Sequence, residues 1–197
     1  MTKIDDTIRR FNTHNWLPEK GLTAVLMIDC QEYFRDIINP VLKNITSVIS
    51  ATRGKNIPLF FTRHGHKAGG SQEMLGRWWA DLIIEGSEDA RLIPELHISK
   101  EDHIIPKSTY SAFHGTALED KLRNAKITDL VIGGVMTNLC CETTARDAFV
   151  RNFRVFFLVD GTSTVSEDFH LATLKNLGYG FATLLSCEQF IRSIDKN

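Results

Sequence analysis

The sequence alternates between short apolar runs and longer amphipathic stretches, and this alternation limits the possible folds more than any other feature. The runs are continuously apolar and many of their residues are β-branched, which is typical of strands buried on both faces of a sheet. They cover residues 22–29, 57–62, 103–105, 129–135, 155–160 and 180–185. The pattern predicts a doubly wound three-layer α/β/α sandwich around a mainly parallel sheet.

The stretches between these runs are predicted to be helices, and several carry start signals. Pro40 stands at a first helical position, and Ser166 and Ser186 are suitable N-caps. The predicted helices span about residues 39–53, 115–125, 138–152, 166–177 and 186–194. No linker rich in Pro, Ser or Gly divides the chain, so residues 1–197 are predicted to form one domain.

Composition excludes several classes of partner. The formal net charge is −1 at pH 7, which gives no general attraction to nucleic acid or to an anionic membrane surface. No apolar stretch approaches the roughly 20 residues of a membrane-spanning helix. The first ten residues, MTKIDDTIRR, lack the apolar core of a secretory signal. We therefore expect a cytoplasmic protein whose partner is a small-molecule substrate.

Four cysteines are present, and their spacing matches neither a C-x-x-C pair nor a zinc ribbon. Cys140 and Cys141 are neighbours on a predicted helix, where their side chains point about 100° apart and are poor partners for a disulfide. In a reducing compartment all four are expected to be free thiols.

Reactive side chains follow three of the predicted strands. Asp29 closes the first run, Lys107 follows the third, and Cys140 lies in the first turn of the helix after the fourth. Ligands of open α/β sheets bind beyond the carboxyl ends of the strands. An acid, a base and a nucleophile are therefore expected at one edge of the sheet, although Asp29 and Lys107 could also form an ordinary salt bridge.

Two interpretations of the Cys140 thiol remain open from the residues alone. With Thr137 or Asn138 as N-cap, the helix dipole and a nearby lysine would favour the reactive thiolate, and backbone N–H groups would form an oxyanion hole. Alternatively, the cysteine is a small packing residue. Packing suits Cys141 better, because it forms an i, i+4, i+8 stripe with Ala145 and Phe149 that is expected to face the core.

Two further features bear on the site. His64 and His66 follow the second strand, and such a pair could hold a metal or contact substrate, but the other histidines are scattered. The long segment 64–100 contains Trp78 and Trp79 and is interpreted either as a lid over a pocket or as part of a subunit interface or local core. No dinucleotide fingerprint or P-loop is present, so no cofactor is predicted.

Several motifs resemble those of the isochorismatase-like cysteine hydrolases. They are AVLMIDCQEYF (24–34), FFTRHGH (60–66), IPKSTYSAFHGTALEDKLR (105–123) and VIGGVMTNLCCETTARDAF (131–149), in the family's order. The resemblance implies a six-stranded parallel sheet and an Asp29, Lys107 and Cys140 triad. It also implies a cis peptide before Met136, an oxyanion hole from the Met136 and Cys140 N–H groups, and a homo-oligomer, either a dimer or a tetramer.

Two departures refine the expected activity. Members that hydrolyse a vinyl ether lack the cysteine, so Cys140 favours amide hydrolysis. The nicotinamidases of the family bind a metal and carry D-x-H where this chain has His64-Gly65-His66. The missing aspartate argues against both a metal and nicotinamide specificity.

The predicted activity is therefore hydrolysis of a small amide, ureido or carbamoyl C–N bond through a thioester. The expected substrate contacts are the aromatic walls Phe34, Tyr110 and Phe113 and the polar groups of Gln31, His64 and Thr137. Two alternatives stay open: a vinyl-ether hydrolase that uses Asp29 without the thiol, and a non-enzymatic binding module in which Cys140 is oxidised reversibly.

Overall fold

A computed structural model describes residues 6–69, 73–79 and 81–195 of the chain. Its centre is a six-stranded sheet in the order β3-β2-β1-β4-β5-β6, in which every neighbouring pair is parallel. The strands are β1 (Thr23–Ile28), β2 (Leu59–His64), β3 (His103–Lys107), β4 (Asp129–Val135), β5 (Arg154–Ser163) and β6 (Ala182–Leu185). The predicted parallel α/β architecture is confirmed.

Helices connect the strands. They are α1 (Asp6–Arg9), α2 (Arg35–Ile38), α3 (Leu42–Gly54), α4 (Met74–Trp79), α5 (Leu118–Asn124), α6 (Glu142–Val150), α7 (Glu167–Gly180) and α8 (Cys187–Asp195). The 3-10 turn Asn39–Val41, with Pro40 in its first turn, leads into α3. Among the described residues no helix is long and apolar enough to cross a membrane.

The apolar strands are buried on both faces because helices cover the sheet on each side. In β1, Ala24, Leu26 and Ile28 pack into one cluster with residues of α5, α6 and α7. Val25 and Met27 point the other way and pack with residues of α3 and α8. This alternation explains why β1 is fully buried and why its sequence is continuously apolar.

The strand order reverses at β1, which places a crevice where β1 and β4 end. β2 and β3 lie on one side of β1, and β4, β5 and β6 lie on the other. Ile28 pairs with Gly134 at the last register position of β1. Ligands of doubly wound sheets bind at this reversal, so Asp29 and the segment after β4 stand where a site is expected.

Gly134 allows the two backbones to approach at that point. Its φ of +111° lies in the region that favours glycine, and a Cβ there would come within 2.1 Å of the Ile28 carbonyl oxygen. A side chain at this position would therefore push β1 and β4 apart.

Three local predictions need correction. The helix expected over 138–152 starts with a π-helical turn, Thr137–Cys141, whose N-cap is Met136 rather than Thr137 or Asn138. Phe149 does not face the core: its side chain is 46% exposed, whereas Cys141 and Ala145 are fully buried. Ser166 is the N-cap of α7, as predicted, but its side chain makes no capping hydrogen bond.

The Ser186 cap forms as a reciprocal pair. The Gln189 N–H donates to Ser186 Oγ at 3.1 Å, and the Ser186 N–H donates to Gln189 Oε1 at 2.8 Å. This capping box satisfies two N–H groups at the start of α8.

Candidate active site

Three side chains from three different strand ends meet at the crevice. Lys107 Nζ lies 2.7 Å from Asp29 Oδ2 and 3.5 Å from Cys140 Sγ. The side chains of Asp29 and Lys107 have no exposed surface, and Cys140 is 7% exposed. The structure therefore brings together the three residues that the sequence places after strands β1, β3 and β4.

Thr62, which the sequence analysis missed, fixes the Asp29 carboxylate. Its hydroxyl donates to Asp29 Oδ1 at 2.5 Å and accepts a hydrogen bond from the Asp29 N–H at 2.9 Å. The other oxygen, Oδ2, has the Lys107 ammonium beside it but no well-aligned hydrogen-bond donor among the described residues. Oδ2 is therefore the atom that can accept a proton.

The Lys107 ammonium is held by three groups. In addition to Asp29 and Cys140, it donates to the Thr109 carbonyl at 2.7 Å. Burial on its own lowers the pKa of Lys107, but the Asp29 carboxylate and the Cys140 sulfur outweigh it, so the pKa is raised. The lysine therefore stays charged, with one ion-pair partner and two hydrogen-bond acceptors around it.

Burial disfavours the thiolate form of Cys140. It raises the pKa of Cys140 to about 12, and the opposing effect of Lys107 is smaller. Burial therefore opposes the lowering of the thiol pKa that the helix start and the lysine were expected to produce. A buried thiol next to a carboxylate has to lose its proton during the reaction, and Asp29 is the adjacent base.

The other three cysteines are packing residues. Cys30, Cys141 and Cys187 are buried, and burial raises the pKa of each thiol above its usual range. Cys141 lies in the apolar cluster with Ala145, as expected from the stripe.

The turn that carries Cys140 has unusual backbone geometry. The Val135–Met136 peptide bond is cis, and the π-helical turn begins immediately after it. Thr137 is fully buried, and its hydroxyl lies 3.0 Å from Nδ1 of His170 on α7. This contact ties the turn to α7.

A cavity of about 550 Å³ opens above Cys140. This volume lies within the usual range for small-molecule sites. Its lining is mostly apolar and aromatic, and it includes three of the predicted contacts, Phe34, His64 and Tyr110. The full lining is Tyr33, Phe34, Asp36, Ile37, His64, Leu75, Trp79, Asp81, Leu82, Ile83, Tyr110, Met136, Leu139, Cys140 and Val165.

Three predicted substrate contacts are corrected because they do not line this cavity. The Gln31 amide is buried and occupied: it donates to the His64 and Ala90 carbonyls and accepts from the His64 N–H. Phe113 packs in the core, with its ring 5.8 Å from that of Phe153. Thr137 is turned toward His170.

His64 lies at the side of the cavity as a neutral imidazole. Burial, followed by the charge of Lys107, lowers its pKa to about 4. Its ring centroid is 5.0 Å from that of His66, and His64 Nδ1 and His66 Nε2 have no hydrogen-bond partner among the described residues. Within those residues no group of three or more His, Cys, Asp or Glu side chains is arranged to hold a metal. The pair therefore does not make a complete ligand set.

Five described residues of the segment between β2 and β3 line the cavity, and we call them the lid: Leu75, Trp79, Asp81, Leu82 and Ile83. Trp79 Nε1 donates to the Tyr110 hydroxyl at 2.6 Å, and the Tyr33 hydroxyl donates to Asp81 Oδ2 at 2.8 Å. Trp78 is 75% exposed and Trp79 is 50% exposed, so neither packs in a local core. Of the two, Trp79 lines the cavity and Trp78 does not, which favours the lid interpretation for Trp79.

The chain is similar to known proteins along nearly its whole length. The Isochorismatase domain model matches residues 23–189. Nicotinamidase 3 of Arabidopsis thaliana is 42% identical over 189 residues, covering 94% of this chain and 96% of that protein. A ureidoacrylate amidohydrolase of Pseudomonas savastanoi pv. phaseolicola is 28% identical over 202 residues, covering 86% of this chain and 82% of that protein.

The fold has also been seen in a solved structure. A cysteine hydrolase from Pseudomonas syringae pv. phaseolicola superposes with a TM-score of 0.89, covering 92% of this chain and 96% of that chain at 24% identity. At that level of identity the match concerns the fold.

Proposed function

The chain belongs to the isochorismatase family, and we propose that it is a cysteine-dependent amidohydrolase of a small aromatic carboxamide. Relatives named for amide hydrolysis support action on a C–N bond outside peptides. One observation carries the proposal: the Cys140 thiol lies on the floor of an aromatic cavity, 3.5 Å from the Lys107 ammonium, which in turn contacts Asp29.

Nicotinamide is the substrate to test first. The cavity has flat aromatic side chains at Phe34, Trp79 and Tyr110, which suit a planar ring. A protein named nicotinamidase is 42% identical across nearly the whole chain. This similarity outweighs the missing aspartate of the D-x-H motif, and the proposed reaction needs no metal.

The first half of the reaction transfers the acyl group to sulfur. Asp29 Oδ2 takes the thiol proton as Cys140 Sγ attacks the amide carbonyl. Lys107 stabilises the sulfur anion formed next to it. The carbonyl oxygen becomes an oxyanion, which we assign to the Met136 and Cys140 N–H groups. The intermediate then collapses, Asp29 donates its proton to the nitrogen, and ammonia leaves a thioester on Cys140.

The second half consumes water. Asp29, again a carboxylate, takes a proton from a water molecule, whose oxygen attacks the thioester carbonyl. The C–S bond breaks, the carboxylic acid is released, and the sulfur recovers the proton. The sum is amide plus water giving acid plus ammonia, and the protein returns to its starting state.

The two alternatives raised from the sequence are less well supported. A vinyl-ether hydrolase has no need of a cysteine positioned beside the lysine. A redox-responsive module needs a reactive thiolate, and burial raises the pKa of Cys140 to about 12.

The deciding experiment measures ammonia release from nicotinamide and a panel of small amides. We expect Cys140→Ala to lower kcat/KM by about 10⁴-fold or more, since removal of a nucleophile has effects of that size. Cys141→Ala is the matched control, because it removes the neighbouring thiol and should retain activity. A Cys140→Ala protein that still turns over isochorismate would instead support the vinyl-ether hydrolase.

The proposed assembly is a dimer or a tetramer, as the family resemblance implies. Sedimentation equilibrium of the purified chain distinguishes these states from a monomer.

A further inference from the structure

We propose that the cavity selects substrates by charge, accepting neutral and cationic aromatic carboxamides and excluding amides that carry a carboxylate, with Asp36 and Asp81 as the specificity-determining residues. This inference rests on the proposed amidohydrolase function and names the substrate class of the same site. Charge selection would separate this chain from relatives whose substrates are acids.

The charged side chains of the lining all have one sign. Asp36 and Asp81 are its carboxylates, and none of the described residues that line the cavity is Lys or Arg. The lining therefore offers no ion-pair partner to a substrate carboxylate.

The floor of the cavity does not compensate for these carboxylates. Asp29 and Lys107 form an ion pair at 2.7 Å that has no net charge. The Lys107 side chain has no exposed surface and already donates to Thr109 and Cys140, so it offers no accessible partner to a substrate carboxylate. Burial raises the pKa of the Cys140 thiol, which disfavours a charge on the sulfur.

His64 adds no positive charge to the cavity. It lines the cavity and is 7% exposed. Burial, followed by the charge of Lys107, disfavours the imidazolium by lowering the pKa of His64 to about 4. A neutral imidazole does not neutralise a substrate carboxylate.

The position of Asp81 is fixed by its contact with Tyr33. The Tyr33 hydroxyl donates to Asp81 Oδ2 at 2.8 Å and holds the carboxylate at the lid side of the cavity. Asp36 faces the same cavity from α2. Both carboxylates would repel an anion entering beside them, and bringing an unpaired carboxylate into the cavity would cost its solvation as well.

The same groups favour a cation. Tyr33, Phe34, Trp79 and Tyr110 present aromatic rings to the cavity, and a cationic ring over an aromatic face gains cation–π attraction. The nearby carboxylates add to that attraction. A pyridinium carboxamide therefore belongs to the accepted class together with its neutral parent.

The test compares three amides on one ring system: nicotinamide, its N-methylpyridinium cation and the monoamide of dinicotinic acid, which is an anion. We expect the anion to have a kcat/KM at least about 100-fold below that of nicotinamide, and the cation to lie within about tenfold of it. Equal rates for the anion and nicotinamide would overturn the proposal, as would no turnover of the cation.

A double substitution tests whether Asp36 and Asp81 cause the charge selection. The variant Asp36→Asn with Asp81→Asn keeps the size of both side chains, and Asn can still accept the Tyr33 hydrogen bond. We expect it to raise the anion-to-neutral ratio of kcat/KM by about tenfold and to lower the cation-to-neutral ratio. The control Asp120→Asn removes an exposed carboxylate on α5, away from the cavity, and should leave both ratios unchanged. Unchanged ratios in the double variant would refute the role of the two residues.

Binding measurements distinguish charge selection from the proposed hydrolase activity. In the Cys140→Ser variant, which leaves the other lining residues unchanged, calorimetry of the same three amides should give affinities in the same order. Charge-dependent binding without hydrolysis of any amide by the wild type would refute the amidohydrolase and support charge selection. If no amide binds, or if the three bind equally well, charge selection is refuted.

Discussion

The floor of the cavity, around Asp29 and Lys107, is buried, whereas its mouth, around Trp79 and Asp81, is exposed to solvent. At the floor, the side chains of Asp29 and Lys107 have no exposed surface, and Thr62 fixes the carboxylate through a 2.5 Å hydrogen bond. At the mouth, Trp79 is half exposed and donates to the Tyr110 hydroxyl, and Asp81 accepts a hydrogen bond from the Tyr33 hydroxyl. Disturbing the floor should therefore damage both folding and chemistry, whereas changes at the mouth should alter mainly substrate choice.

The largest effect is expected from breaking the ion pair at the floor. Lys107→Met leaves the Asp29 carboxylate buried without its partner, which should lower the free energy of unfolding by about 3–5 kcal/mol and abolish turnover. Urea denaturation and ammonia release measure the two effects. Adding Asp29→Asn should recover part of the stability but no activity.

Asp81→Asn is the substitution at the mouth that corresponds to Lys107→Met at the floor. It removes an exposed carboxylate and should change the free energy of unfolding by less than about 1 kcal/mol. A loss as large as that of Lys107→Met would show that the mouth is as important for the fold as the floor.

Gly134 tests how closely the backbone at the floor is packed. Gly134→Ala adds a Cβ that would lie 2.1 Å from the Ile28 carbonyl oxygen and requires alanine at a φ of +111°. Strain and forced separation of β1 and β4 should destabilise the fold by about 3 kcal/mol or more. Gly21→Ala is the control, because nothing lies within 4 Å of its added Cβ. A similar melting temperature for both variants would contradict the close approach.

The His64 ring predicts a pH dependence of stability. Its pKa is lowered to about 4 because of burial and then the charge of Lys107, whereas the pKa of a histidine in the unfolded chain is about 6.5. Between those values the unfolded chain binds the proton and the folded one does not. The free energy of unfolding should therefore fall as the pH is lowered from about 6.5 to about 4, by up to about 3 kcal/mol from this group.

Comparison with His64→Gln isolates that contribution. The variant has no titrating ring, so its stability should change less across the same pH range in urea titrations. Parallel pH profiles for the two proteins would mean that His64 is not held neutral by the fold.

The smallest effect is expected at the lid. Trp79→Phe keeps an aromatic wall but removes the Nε1 donor to the Tyr110 hydroxyl. We expect KM to rise by about two- to fivefold with little change in the free energy of unfolding, since a partly exposed hydrogen bond contributes about 1 kcal/mol. Steady-state kinetics measure this, and Trp78→Phe, which does not change the cavity lining, is its control.

The sequence was most informative about the floor, because the periodicity that identifies buried strands also locates their ends. Parallel strands end at one edge of a sheet, so the sequence alone predicts that Asp29, Lys107 and Cys140 lie close together. The contact of Thr62 with Asp29 could not be predicted, because no sequence pattern distinguishes a functional threonine inside an apolar strand. Only the register of β1 and β2 places it beside Asp29.

The remaining contacts depend on rotation within turns, which sequence patterns do not specify. The π-helical turn directs Thr137 toward His170, and the backbone groups of His64 and Ala90 occupy the Gln31 amide. Tyr110 and Phe113 are both aromatic and only three residues apart, yet Tyr110 lines the cavity whereas Phe113 packs in the core. The short α4 shows too little periodicity to have been predicted.

The lid residues all belong to one connection, the segment between β2 and β3. Leu75, Trp79, Asp81, Leu82 and Ile83 come from that connection, while the nucleophile and its base are anchored in other strands. Exchanging this one stretch for that of a relative would transplant much of the pocket roof and leave the chemistry in place. New specificities could therefore arise in such a chain by recombination within a single loop.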